Sequence, residues 1–255
     1  MKKKSLFIVF LLGISILVFS CGTFESFLEE DFNTSATANT NGRDDPDAVN
    51  WDISSLDTAA KADYLSAMEK DVILEMNKAR NNPKKYAELY IKPMLQYNWG
   101  GPFGANSYLA PGETDYKTTQ EGRNGIQSCV DDLSGRQSMP PLIPAKGLFL
   151  SARDHATDIG KKDMTGHTGS DGSTMGQRIS RHGEWDISIG ENISYKTTDG
   201  RSTVVRMLID DGTPSRGHRE NVLNKKFKYA GAAFADHLSW TNSCVIDYAS
   251  EFTEK

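Results

Sequence analysis

Gly166-His167-Thr168-Gly169-Ser170-Asp171-Gly172, Gly190-Glu191-Asn192-Ile193 and Gly217-His218-Arg219-Glu220-Asn221-Val222-Leu223 are the stretches whose reading decides this chain. Each sets an imidazole or a carboxylate in polar, Gly-rich surroundings where a side chain can project from a turn. Alone each is a weak signal; together, in this order, they are highly specific. Two imidazoles offer borderline nitrogen ligands, and nearby carboxylates can ligate or can orient an imidazole through its other nitrogen. Two histidines with open positions suit Zn²⁺. The same pair can instead act as general acid and base on a water, as a hydrolase would use it. Ser170 and Ser215 lie near the two histidines in sequence, but short spacing does not create a triad, and nothing resembles an activated nucleophile.

Outward from these segments the patterning alternates between helix and strand. Residues 142–163 read as a helix after a Pro-rich lead-in, with Leu148, Ala152, Ala156 and Ile159 on one stripe and His155 beside them. Residues 202–210 form a second amphipathic stretch that places Val204, Val205, Leu208 and Ile209 inward. Strands are expected over 193–196, 229–235 and 243–249. Towards the N-terminus, helical spacing begins near Asp57 and runs through Val72, Leu74, Met76, Ala79, Tyr86, Leu89 and Tyr90, with Asn82-Pro83 marking a break and a fresh start. Residues 98–138 are rich in Gly, Asn, Asp and Thr and read as a loop-rich insertion with one short helix over 126–133. Helices first, then helices alternating with late strands, give an α+β class with helices on both faces of a small sheet.

Taken in order, these residues resemble the CAP superfamily, also called SCP/TAPS or PR-1-like, in its bacterial form. The resemblance runs through most of 68–250. It is carried by the helix Ile73-Leu74-Glu75-Met76-Asn77-Lys78-Ala79-Arg80 with Asn82-Pro83 and Tyr86-Ala87, by Pro141-Leu142 leading to Leu148, Ala152 and His155-Ala156-Thr157-Asp158, and by His167, Arg178, Glu191, the 204–210 helix, His218 and Gly231. It implies a three-layer α-β-α sandwich whose cleft holds two histidines and two acidic residues. Position by position, His167 and His218 match the histidines and Glu191 the acid of the Gly-Glu-Asn segment. Asp210 takes the fourth place, with Met207 where an aromatic residue is usual and Asp211 adjacent. These four are the candidate catalytic and metal-binding residues.

The same residues have plainer readings. His167 and His218 can simply hydrogen-bond Glu191 and Asp210 to hold a polar cleft together. His155 reads as a satisfied histidine on a buried helix face, and His182 and His237 as surface loop residues. Arg178 and Arg219 read as structural ion-pair partners, Asn192 as the residue that fixes the turn after Glu191, and Trp185, Trp240 and Tyr248 as core or rim packing.

The first residues bear on compartment. Lys2, Lys3 and Lys4 form a positive n-region, and 6–19 is an apolar run broken only by Gly13 and Ser15. At 14 residues it is short of the roughly 20 a spanning helix needs. It ends at Val18-Phe19-Ser20-Cys21-Gly22, an arrangement that resembles a bacterial lipoprotein signal over 1–20 with Cys21 as the lipidated residue. The expected location is the cell envelope, facing the periplasm or cell surface, or outside the cell if Cys21 is not lipidated. Residues 21–56, poor in apolar side chains, read as a flexible tether, and 57–255 as the folded domain. Loss of the three lysines takes the net charge from −5 to −8, which argues against nucleic acid as a partner. Acyl chains would hold the protein to a membrane. Of three cysteines, Cys129 and Cys244 then remain, and they can form one bridge or stay two buried thiols.

Two functions compete on this reading. One is a binding module that presents the cleft to a small ligand, a lipid or sterol-like molecule included, to a divalent metal or to a protein partner. The other is a metal-assisted hydrolase acting on peptide or envelope material.

Overall fold

The computed structural model describes residues 50–255. The expected leader, Cys21 and most of the expected tether lie outside the described residues. The packed chain begins earlier than the expected boundary at 57, because Trp51, Ile53 and Leu56 are buried and helix α1 (Ile53–Leu56) carries two of them. Three large apolar side chains in seven residues are enough to dock an otherwise polar segment.

Helix α2 (Ala67–Asn81) starts at a reciprocal cap: the Glu69 backbone N–H donates to Ser66 Oγ, and the Ser66 backbone N–H donates to Glu69 Oε2. Such a cap satisfies two of the four N–H groups a helix start leaves open. Asn82 then ends α2 and caps α3 (Pro83–Tyr86), with Pro83 at its first position. The chain winds on as a π turn over Ala87–Ile91 and a 3₁₀ turn over Lys92–Gln96.

The segment expected as a loop-rich insertion is more ordered than its composition implies. Strands β1 (Asn98–Trp99), β2 (Ser107–Leu109) and β3 (Lys117–Thr118) form a small antiparallel sheet. Helix α4 (Arg123–Gly135) follows and buries Ile126, Cys129, Val130 and Leu133 in the main core. The apolar residues at 126, 129, 130 and 133 recur at helical spacing, so one face of α4 packs although the segment's overall composition is polar.

The main sheet has the order β4-β6-β7-β5 and is built from β4 (Ile143–Pro144), β5 (Gly183–Tyr195), β6 (Tyr229–His237) and β7 (Thr241–Glu254). β4 runs parallel to β6, and the other pairs are antiparallel. Helices α5 (Lys146–Lys162) and α6 (Met175–His182) cover one face. On the other lie α2, α7 (Gly200–Ile209) and α8 (Gly217–Val222). This is the expected α+β sandwich. A Cβ at Gly231 would lie 2.0 Å from the Phe149 backbone nitrogen, so the α5 backbone rests directly on β6 and only glycine fits.

Strand alternation then decides which side chains face which layer. Gly231, Asp247 and Glu191 are cross-strand neighbours and face α5 and α6; Asn192, Ile246 and Tyr248 face α2, α7 and α8. On that second side the buried Arg80 of α2 donates to the carbonyls of Pro140, Val222, Asn224 and Phe227. One guanidinium therefore ties α2 to the chain that leaves α8, and burial lowers its pKa to about 10.

Of the two readings of the cysteine pair, the structure has the free thiols. The Cys129 S–H donates to the Leu208 carbonyl at 3.2 Å, while Cys244 is buried in β7 opposite Ser194 and Phe234. They sit on different elements and face different partners. Burial pushes the Cys129 thiol up to about 12 and that of Cys244 higher still.

Candidate functional site

Glu191 lies in the middle of β5, the edge strand of the main sheet, and its side chain is buried. His167 Nδ1 lies 2.8 Å from Oε1, and Arg178 Nη2 donates to Oε2 at 2.6 Å. Burial by itself would raise the Glu191 carboxyl pKa. The hydrogen bond from His167 and the charge of Arg178 outweigh it and hold the group below the usual carboxylate range. Glu191 is therefore the acceptor and the His167 Nδ1–H the donor.

The loop that carries His167 is pinned at several points. Arg178 Nη1 donates to the carbonyls of His167 and Ser173, so the guanidinium that neutralises Glu191 also fixes the His167 backbone. The Gly166 N–H donates to the Tyr195 hydroxyl, and His155 Nε2 bonds the Gly166 carbonyl at 2.9 Å. Asp158 receives both the backbone N–H and the hydroxyl of Ser170, which removes Ser170 as a partner for His167.

The second histidine repeats the arrangement from the other layer. Asp210 ends α7 in the left-handed region at φ 51°, a conformation an aspartate tolerates better than most residues. That turn aims its carboxylate at α8: Oδ1 is 2.7 Å from His218 Nδ1, and Oδ2 accepts the His218 backbone N–H at 2.9 Å. Burial raises the Asp210 pKa, and the His218 contacts more than reverse it. The neighbouring Asp211 faces elsewhere and accepts the backbone N–H groups of Gln120 and Glu121, which assigns the fourth position to Asp210. Arg219 holds the α7–α8 turn by donating to the carbonyls of Leu208 and Ile209, a role in backbone packing more than in ion pairing.

Asn192 links the two histidine–carboxylate pairs. Its Nδ2 donates to the His218 carbonyl at 3.0 Å and to the Tyr248 hydroxyl, while Asn221 donates to Asn192 Oδ1 and to the Glu191 carbonyl. The expected turn after Glu191 is absent because Asn192 continues β5. What it fixes is α8. The pairs thus approach the edge strand from opposite layers, through consecutive residues of β5.

Exposure separates the roles. The His167 and His218 side chains are 57% and 31% exposed, against 2% for Glu191 and 3% for Asp210. Each imidazole is held by Nδ1 on a sealed carboxylate, which leaves Nε2 available to a ligand or a proton. Among the described residues, no three His, Cys, Asp or Glu side chains gather as a metal-holding group. The oxygens of Glu191 and Asp210 accept from the imidazole Nδ1 atoms, Arg178 and a backbone N–H, so they orient imidazoles as carboxylates do behind a metal-bound histidine. A divalent cation here would be held by His167 and His218 through Nε2, with its other positions left to solvent or ligand.

Other expectations fare unevenly. His155 is buried as expected, although its Nδ1 has no partner. His237 is not a surface residue: it is 4% exposed, bonds the Met164 carbonyl and meets the Tyr195 ring edge-on, because the β6–β7 hairpin folds against the end of α5. His182 ends α6 and pairs with Asp154 of α5. Tyr248 is core, stacked on Phe227, whereas Trp185 and Trp240 are exposed. Sequence reading passed over Asp247, a carboxylate inside the apolar run Cys244-Val245-Ile246-Asp247-Tyr248-Ala249, and that placement is the signal that could have found it.

Comparison with known proteins follows this geometry. Among solved structures, an outer surface protein of Borrelia burgdorferi is similar at 20% identity and TM-score 0.37, over 46% of this chain and 80% of that one. An extracellular SCP-domain protein of Bacillus anthracis is similar at 21% and 0.38, over 51% and 39%. A cysteine-rich secretory protein of Staphylococcus aureus is similar at 15% and 0.34, over 56% and 44%. No curated protein matches. Residues 75–248, which contain all four cleft residues, match the model of the CAP family, described as the cysteine-rich secretory protein family, and the chain belongs to that family.

Proposed function

We propose that this protein is a membrane-tethered, extracytoplasmic CAP domain that binds a small ligand or a divalent cation between His167 and His218, anchored through a lipid on Cys21. One observation carries the reading: two solvent-reaching imidazoles, each fixed by Nδ1 on a buried carboxylate, offer two Nε2 atoms from opposite sides of one edge strand. Zn²⁺ is the cation whose ligand preferences such nitrogens match best. A lipid or other apolar ligand would use the same cleft for its polar head. A protein partner that inserts a polar group there is the form an interaction role would take.

The runner-up is metal-assisted hydrolysis. A carboxylate-bound imidazole is also how a general base is held, and a cation on the two Nε2 atoms would supply an activated water. Fold and site resemblance do not supply a reaction, so binding takes precedence.

The test is calorimetric titration of the full chain with Zn²⁺ at pH 7.5 and 5.5, beside the His167→Ala/His218→Ala variant. The proposal expects stoichiometric binding that is weaker at the lower pH, as imidazole protonation competes, and absent in the variant. Binding that survives the double substitution would place the ion elsewhere and remove the support. Turnover of peptide or ester substrates lost with His218→Ala would favour the hydrolase.

A further inference from the structure

Asp247 stands directly opposite Glu191 in the β5–β7 register and opposite Gly231 on β6, on the face covered by α5 and α6. It is fully buried, and neither carboxyl oxygen makes a well-formed hydrogen bond. Its surroundings are few. From β5 comes the Glu191 carboxylate, from α6 the Arg178 guanidinium, from α5 Ser151, and from β6 only glycine. His155 of α5 lies 3.9 Å from Glu191 on the same side. Ser151 Oγ, His155 Nδ1 and Arg178 Nε are also buried without partners.

Two carboxyl groups are thus sealed side by side with one guanidinium, and that guanidinium is already bonded to Glu191. Two buried anions against one cation leave an uncompensated charge that the interior cannot solvate, so one proton stays with the pair. Its location follows from the contacts. Glu191 accepts from His167 and Arg178, which keeps it ionised, whereas burial and the Glu191 charge push Asp247 well above the usual carboxylate range. Asp247 is then the one of the two with a hydrogen to give, and Glu191 is its nearest anionic acceptor.

We propose that Asp247 is a positioning residue of the cleft: its protonated carboxyl donates a hydrogen bond sideways to Glu191 and so steadies the acceptor against which His167 Nδ1–H is fixed. Glu191 then receives donors from three directions, the His167 loop, α6 and β7. The inference rests on the His167–Glu191 pair and not on ligand binding, so it stands or falls separately from the proposed function.

The experiment is NMR titration of the His167 and His218 imidazoles in the full chain without added metal or ligand, in the wild type, Asp247→Asn and Asp247→Leu. The Asn amide can donate as the carboxyl does, so His167 is expected to keep its wild-type midpoint within about 0.2 pH unit. Leu removes the donor, Glu191 then holds the imidazolium more tightly, and the His167 midpoint rises by about 0.5 unit or more, roughly threefold in proton affinity. His218, held by Asp210 in the opposite layer, keeps its midpoint in both variants and reports that the fold is intact. Equal movement of His167 in both variants, or movement in neither, overturns the proposal. The wild type alone gives a second check that needs no variant. The Asp247 carboxyl ¹³C resonance is expected to stay in the neutral position between pH 5 and 8, and titration in the ordinary carboxylate range would equally overturn it.

Discussion

Arg178 and Glu191 form an ion pair at 2.6 Å with both side chains 2% exposed, and the same guanidinium holds the backbone carbonyl of His167. The pair is a structural hinge for the cleft, since one cation sets both the charge of the carboxylate and the position of the loop above it. Arg178→Met leaves a buried carboxylate uncompensated and is expected to cost about 3–5 kcal/mol. Urea unfolding measures this. Arg178→Lys is expected to recover only part of the loss, because an ammonium cannot span Glu191, His167 and Ser173 at once.

Asp210 and Asp211 are adjacent in sequence and opposite in consequence. Asp210→Asn can keep one of the two contacts to His218 but sets an amide N–H against the other donor. Ligand or metal affinity is expected to fall about tenfold or more, as it does when the carboxylate behind a liganding histidine is changed. Asp211→Asn affects only the contact to Gln120 and Glu121 and is expected to leave that affinity unchanged. Parallel calorimetry on the two variants separates them.

Asp247 makes a pH signature. Its folded-state pKa is raised above the unfolded value near 3.8, so the native state binds more protons than the unfolded state between the two values, and stability falls as pH rises through that window. Asn cannot ionise, which removes the penalty. Asp247→Asn is therefore expected to exceed the wild type in stability at pH 7–8, with the gap closing as pH falls toward 4, at a limiting slope of about 1.4 kcal/mol per pH unit. Glu191 acts in the opposite sense: its pKa is lowered, so its contribution is present at neutral pH and lost on acidification. Thermal melts across pH 4–8 of the wild type and Asp247→Asn test the sign.

Cys129 and Cys244 are expected to be inert in the folded protein. Both are fully buried with thiol pKa values pushed up by that burial, so the thiolate fraction at neutral pH is negligible. Ellman's reagent is expected to label neither thiol in buffer and both in guanidinium chloride. Reductant is expected to leave Tm unchanged.

Much of this architecture can be read in the sequence because its signals are local. The strands expected over 229–235 and 243–249 are the central pair of the sheet, and the helix over 202–210 matches α7 to within two residues. The four cleft residues come together as two pairs. What escaped reading depends on partners remote in sequence. Strand β5 begins at Gly183, ten residues before the expected start, because Glu184, Trp185 and Asp186 pair with the end of β7 while carrying polar or exposed side chains that local β-propensity does not favour. His237 is buried by a hairpin folding back on α5, and Trp51 by docking on Tyr86 and Tyr90. Asp247 looks like a strand residue with an odd side chain until the register sets it beside Glu191. Gly231 was legible as part of a motif, but the reason for it is the α5 backbone, and Gly231→Ala is expected to destabilise by about 3 kcal/mol or more because a helix backbone cannot give way as a side-chain tip can.

The central claim is that Glu191 and Asp210 hold the two imidazoles by Nδ1 and present Nε2 outward. Long-range ¹H–¹⁵N NMR of the neutral imidazoles reads this directly. Both His167 and His218 are predicted to be in the Nδ1–H tautomer with Nε2 unprotonated, and a shift to Nε2–H is predicted for His218 alone in Asp210→Ala. Finding Nε2–H as the major neutral form of both histidines in the wild type would contradict the account.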